Sequence, residues 1–113
     1  MIHNLKYFWN GLRIGYKGLK EEVKPRDYLL IVESPSRRLE NRIRKYAGLV
    51  FKGCFIRGVT VYHIRVESLE MLRRLKISLK QLEHVGYGRI LKFEPLLKKD
   101  DIIFMVIQRF KDG

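Results

Sequence analysis

The chain predicts a single small α+β domain with its elements in the order β-α-β-β-α-β. Three observations predict it. Two amphipathic stretches at helical spacing each open on a serine, short apolar runs rich in β-formers lie between them, and 113 residues hold one modest core but not two. Apolar residues make up 46% and charged residues 32%, the balance of a globular chain rather than a disordered one.

The elements follow in order. Residues 1–25 read as a separate arm, with Leu5, Phe8, Leu12, Tyr16 and Leu19 at helical spacing. Gly11, Gly15 and Gly18 weaken that helix by roughly 1 kcal/mol each. Pro25 closes the arm, and residues 26–113 form the domain. Tyr28 to Glu33 (YLLIVE) reads as a buried strand bounded by Pro25 and Pro35. Ser34 followed by Pro35 predicts a helix start, the serine capping free amides and the proline sitting where no donor is needed. That helix runs to about Ala47, with Leu39, Ile43, Ala47 and Val50 inward and Gly48 as its stop. Leu49–Arg57 and Val59–Glu67 predict an antiparallel hairpin turning at Arg57-Gly58. On its second arm Thr60, Tyr62, Ile64 and Val66 share one face, and Val59, Val61, His63 and Arg65 the other. Were residues 49–57 a loop, the order would become β-α-β-α-β-β. Ser68 caps a second helix with the stripe Leu72, Leu75, Leu79 and Leu82, which Gly86 ends. Arg89 to Phe93 is a strand, and IIFMVI within 101–110 predicts an extra C-terminal strand. The order is that of a ferredoxin-like sandwich, the split βαβ arrangement.

Composition excludes several functions. One cysteine, Cys54, rules out an internal disulfide framework and a cysteine-based zinc site, and His3, His63 and His84 lie too far apart for a helical metal pair. Cys54 is expected as a small buried residue. No apolar run of about 18 residues is present, so no transmembrane helix is expected. No Gly-rich phosphate loop appears. No cofactor, metal or membrane is implied, and a cytoplasmic location is expected. Few Asn, Gln and Thr beside many Lys, Arg and Glu fit a thermophile.

Charge points to a partner. Lys and Arg total 24 against 12 Asp and Glu, a net charge of +12, which suits a polyanion, nucleic acid above all. Residues 36–57 hold seven bases (Arg37, Arg38, Arg42, Arg44, Lys45, Lys52, Arg57) and one acid, Glu40. Arg38, Arg42 and Lys45 follow i, i+4, i+7 and share a side of the first helix, where guanidinium forks match phosphate oxygens. Arg73, Lys76 and Lys80 repeat the pattern on the second helix, with Glu70 placed to pair with Arg73 or Arg74. In the arm, Tyr7, Phe8, Trp9 and Tyr16 stand among Lys6, Arg13, Lys17 and Lys20. They can stack on unpaired bases, or Phe8 and Trp9 can dock on the domain's own core.

Three resemblances bear on function. Lys52-Gly53-Cys54-Phe55 resembles the first ribonucleoprotein motif of the RNA recognition motif, without its central aromatics. LLIVESPS resembles the opening of the Toprim domain of type IA topoisomerases. Glu33 matches the Glu that assists phosphoryl chemistry there, while the Asp-x-Asp that would hold its metal is absent. Residues 60–99 resemble the back half of the small RRM-like protein subunits of archaeal and eukaryotic ribonuclease P. The matching pieces are His63-Ile64-Arg65-Val66, the helix from Leu69 to Val85 and RILKFEPLLKK, and Arg26-Asp27-Tyr28-Leu29 is similar to the opening of their first strand. The Ser-Gly-Thr that follows the last strand in those subunits is replaced by Glu94-Pro95-Leu96.

These readings converge on an RNA-binding protein, a small basic subunit of a ribonucleoprotein, ribonuclease P-like or ribosome-associated. The resemblance to ribonuclease P subunits implies a part in tRNA processing in which the chain assists a catalytic RNA without being the catalyst. The alternatives are a DNA-binding module of small chromatin or viral type, and a Toprim-like metal-dependent nuclease built on Glu33. A protein partner or second copy is expected on the strand Ile102 to Ile107, an aggregation-prone edge if left open.

Overall fold

The computed structural model describes residues 23–54 and 58–97. Within them lie β1 (Asp27–Glu33), α1 (Arg37–Tyr46), β2 (Gly48–Cys54), β3 (Val59–Arg65), α2 (Leu69–His84) and β4 (Arg89–Pro95). The strands form one antiparallel sheet in the order β2-β3-β1-β4. Residues 1–22 of the arm expected at 1–25, and the expected C-terminal strand, fall outside the described residues.

Strand β1 occupies the centre because YLLIVE is apolar on both faces, and four of its residues, Leu29 to Val32, are almost fully buried. It pairs with β3 from Asp27↔Arg65 to Glu33↔Val59. On its other side it pairs with β4, with a bulge between Ile31 and Val32. Residues 48–54 are a strand and not a loop, so the hairpin reading stands.

Both helices pack on one face of the sheet. Leu39 and Ile43 of α1 and Leu72, Leu75 and Leu79 of α2 close over Leu30, Val32, Tyr62, Ile64 and Val66. The split of β3 into two faces follows the expected alternation. Helix α2 starts at Ser68, whose hydroxyl accepts from the Met71 amide at 3.2 Å, and ends at Gly86, where φ is +90°.

Helix α1 differs from expectation at both ends. Its cap is Ser36, whose Oγ accepts from the Leu39 amide at 3.2 Å, so Pro35 lies before the cap instead of inside the first turn. Ser34 has φ +51° and donates its amide to Gly58 O at 2.7 Å, so it turns the chain out of β1. At the far end Ala47 caps in extended conformation, and Gly48 begins β2 instead of stopping the helix. Val50 therefore belongs to β2, not to the helix's inner face.

Candidate nucleic-acid interface

Helical geometry sets three of the α1 cations, Arg38, Arg42 and Lys45, apart from the helix's own acid, Glu40. At about 100° per residue, Leu39 and Ile43 point inward and Arg38, Arg42 and Lys45 share one flank. That flank faces α2. Arg38 Nη1 donates to the Tyr87 hydroxyl at 3.2 Å, with its guanidinium 5.4 Å from the Tyr87 ring centroid. Lys45 Nζ lies 5.4 Å from the centroid of Tyr46. A hydrogen bond with Ser78 of α2, then the charges of Lys45 and Arg42, hold the Tyr46 phenol below its ordinary range. Tyrosine faces thus lie against the charged heads of Arg38 and Lys45, both of which are exposed.

Acids are scarce around this helix. Glu40 is its one carboxylate, and it turns to the opposite flank. There it pairs with Lys52 of β2, accepts from the Tyr62 hydroxyl at 3.1 Å and lies 3.9 Å from Arg44. The Lys52 hydrogen bond holds the Glu40 carboxyl below the usual carboxylate range, while burial and then Glu40 push the Tyr62 phenol up. Arg37, Arg38, Arg42 and Lys45 form no ion pair with any described carboxylate.

The remaining cations divide. Lys52 sits on β2 and not on a loop, and its ammonium neutralises Glu40 instead of standing free. Arg57 lies outside the described residues. Arg73 meets Glu70 at 3.0 Å and Arg74 meets it at 3.1 Å, so that acid serves two bases, and both hold it below its ordinary value. Lys76 lies 5.8 Å from the Phe93 centroid over β4. The Arg73, Lys76 and Lys80 stripe therefore occupies the flank of α2 away from α1, whereas Arg38, Arg42 and Lys45 lie on the side of α1 towards α2. Tyr7, Phe8, Trp9 and Tyr16 lie outside the described residues.

Two features escaped the sequence reading. Tyr87, the platform under Arg38, lies 49 residues away in sequence, and no local pattern announces it. The second is a buried polar cluster on the face of the sheet opposite the helices. Asp27 and His63 are 2% and 1% exposed, and His63 Nε2 meets Asp27 Oδ2 at 2.7 Å. Arg65 Nε donates to Asp27 Oδ1 at 2.8 Å and the Lys24 amide to Oδ2 at 2.9 Å. Burial pushes the Asp27 carboxyl up, but the hydrogen bonds from Arg65, Lys24 and His63 outweigh it and hold it below its ordinary value. Their alternation across β1 and β3 could have signalled a shared face, though not their contact.

Glu33 is half-buried at the end of β1, opposite Arg89 and Val59. No three His, Cys, Asp or Glu side chains gather to hold a metal among the described residues. Cys54 is exposed, not buried: it ends the edge strand β2, and Thr60 Oγ1 approaches its sulfur at 3.9 Å. His84 does lie in the last turn of α2. No helix among the described residues is long and apolar enough to cross a membrane. No protein-family model, curated protein or solved structure matches the chain.

Proposed function

We propose that the protein is an RNA-binding protein of ferredoxin-like fold, a small basic subunit of a ribonucleoprotein, and that it holds its RNA on the helix layer instead of the sheet. The observation that carries this reading is the α1 flank, where Arg38, Arg42 and Lys45 stand together with no carboxylate partner among the described residues and with Tyr87 and Tyr46 beneath two of them. Arg37 and Arg44 add positive charge on the other side of α1, Arg44 beside Glu40, and Arg73, Lys76 and Lys80 offer a second stripe across α2. Phosphate oxygens are the natural ligands of such forks.

The sheet is the poorer surface. Base stacking on a sheet needs exposed aromatics at the centres of the inner strands. Here those positions are Leu29, Ile31, Val61 and His63, all at or below 1% exposure. The element order and the strand order β2-β3-β1-β4 favour the ferredoxin-like assignment. The preference for RNA over DNA rests on the resemblance to ribonuclease P subunits, and the reading gives this chain no catalysis of its own.

The test is an Arg38→Glu/Arg42→Glu variant titrated with folded RNA and, in competition, with duplex DNA of equal length. Its circular dichroism is expected to match the parent, because both side chains lie outside the core. Its affinity is expected to fall, with the slope of log affinity against log salt reduced by about 2. Unchanged affinity removes α1 from the interface, and preference for the duplex DNA replaces the RNA reading with a DNA-binding module.

A further inference from the structure

The sheet has two faces, and the described helices cover only one. Helices α1 and α2 both pack on Leu30, Val32, Tyr62 and Ile64. The connections between described elements are short, the longest being four residues. Yet on the opposite face Leu29, Ile31, Val61 and His63 are 0 to 1% exposed, and Asp27 only 2%. Neighbours in a sheet shield the sides of a side chain but not its end. Burial this complete, with a carboxylate and an imidazole inside it, requires a second covering layer.

Two long stretches lie outside the described residues, 1–22 and 98–113. In the first, Leu5, Phe8, Trp9, Leu12, Tyr16 and Leu19 are spaced so that a helix would carry them on one side, with Lys6, Arg13, Lys17 and Lys20 together on another. From Leu5 to Leu19 such a helix spans about 21 Å, close to the roughly 23 Å of a seven-residue strand. The stretch joins the central strand β1 directly. At that junction Arg26 has φ +70° and the Asp27 carboxylate accepts from the Lys24 amide, a turn that reverses the chain as it enters the sheet. Residues 98–113 instead leave from the end of β4, an edge of the described sheet, so their strand-like run is offered an edge before a face.

We propose that the second face of the sheet, around Leu29, Ile31 and Val61, is the docking surface of the chain's own residues 1–22, with Phe8, Trp9 and Leu12 as its central anchors. The arm's aromatic residues are then interior groups rather than platforms for bases, and its lysines and arginine point away from the sheet. The same cover excludes water from Asp27 and His63. The proposal is independent of nucleic-acid binding.

Trp9 is the single tryptophan and reports on the cover directly. In the full chain free of nucleic acid, its emission is expected to be blue-shifted and its acrylamide quenching several-fold weaker than in the urea-unfolded chain. Nuclear Overhauser contacts are expected between the Trp9 ring and the methyls of Ile31 and Val61. A Phe8→Ser/Leu12→Ser variant leaves the helix-side core untouched, so it is expected to keep the amide shifts of α1 and α2 while Trp9 becomes readily quenched. A solvent-like Trp9 in the parent overturns the proposal, as does quenching unaltered in the variant. So do methyl contacts made only to residues 102–110 or, in a mixed-label sample, to a second copy.

Discussion

Gly88 shows how tightly single positions are held. It has φ +156°, and a Cβ there would lie 2.9 Å from Leu39 Cδ1, 3.1 Å from Val32 Cγ1 and 3.3 Å from the Pro35 backbone. The two branched side chains belong to the core and the third atom is backbone, so none can give way without repacking. Gly88→Ala is expected to lower stability by about 1–3 kcal/mol, read as a lower urea midpoint. Asp27 is held by charge instead. Its partners favour the carboxylate, so its folded pKa lies below the unfolded value. A group depressed in this way stabilises the fold at pH values above the unfolded pKa of about 4, and that contribution is lost as pH falls through the folded value. Asp27→Asn leaves Arg65 and His63 without their buried anion and is expected to cost about 3 kcal/mol at neutral pH. The penalty should shrink on acidification, as the parent loses what the variant already lacks. A gap between the two unfolding curves that stays constant from pH 7 to 3 would assign Asp27 no such role.

At the scale of elements, α2 was legible from end to end because its signals are local: a serine cap, leucines at 3.6-residue spacing and a glycine stop. Helix α1 was misplaced by two residues at its start. Ser34 and Ser36 flank the same proline, and the choice between them is made by contacts distant in sequence, the Ser34 amide with Gly58 O and the Ser36 amide with Tyr87 O at 2.8 Å. The cationic stripe was legible from spacing alone. Its division from the α2 stripe was not, because that depends on which flank of each helix meets the other. The distinction between the serines is testable. Ser36→Ala and Ser68→Ala each remove a cap and are expected to cost about 1 kcal/mol. Ser34→Gly is expected to be neutral or slightly stabilising, since glycine adopts φ +51° without strain. Thermal unfolding of the three variants checks the order, and a loss for Ser34→Gly equal to that for Ser36→Ala would reverse the assignment of the cap.

For the whole molecule the dominant quantity is +12 of net charge on 113 residues. Bases outnumber acids two to one, and three of the carboxylates described above already serve more than one partner: Asp27, Glu40 and Glu70. No described carboxylate pairs with the Arg38, Arg42 and Lys45 flank, and at +12 the folded chain repels itself more than a balanced domain of this size. Salt screens that repulsion, with a Debye length of about 10 Å at about 0.1 M. It also competes with phosphates for the same cations. The two effects carry opposite signs. Raising salt from about 50 to 200 mM is expected to raise the melting temperature of the free protein, and to weaken RNA binding by about 10³-fold if six or more phosphates are neutralised. In the Arg38→Glu/Arg42→Glu variant, whose net charge falls by four units, both responses should diminish together. A melting temperature that falls with salt in the parent would mean that attractive pairs such as Asp27–Arg65 outweigh the collective repulsion. Net repulsion would then not be what the cationic flank contributes, and the case for a polyanion partner drawn from net charge would lose its physical basis.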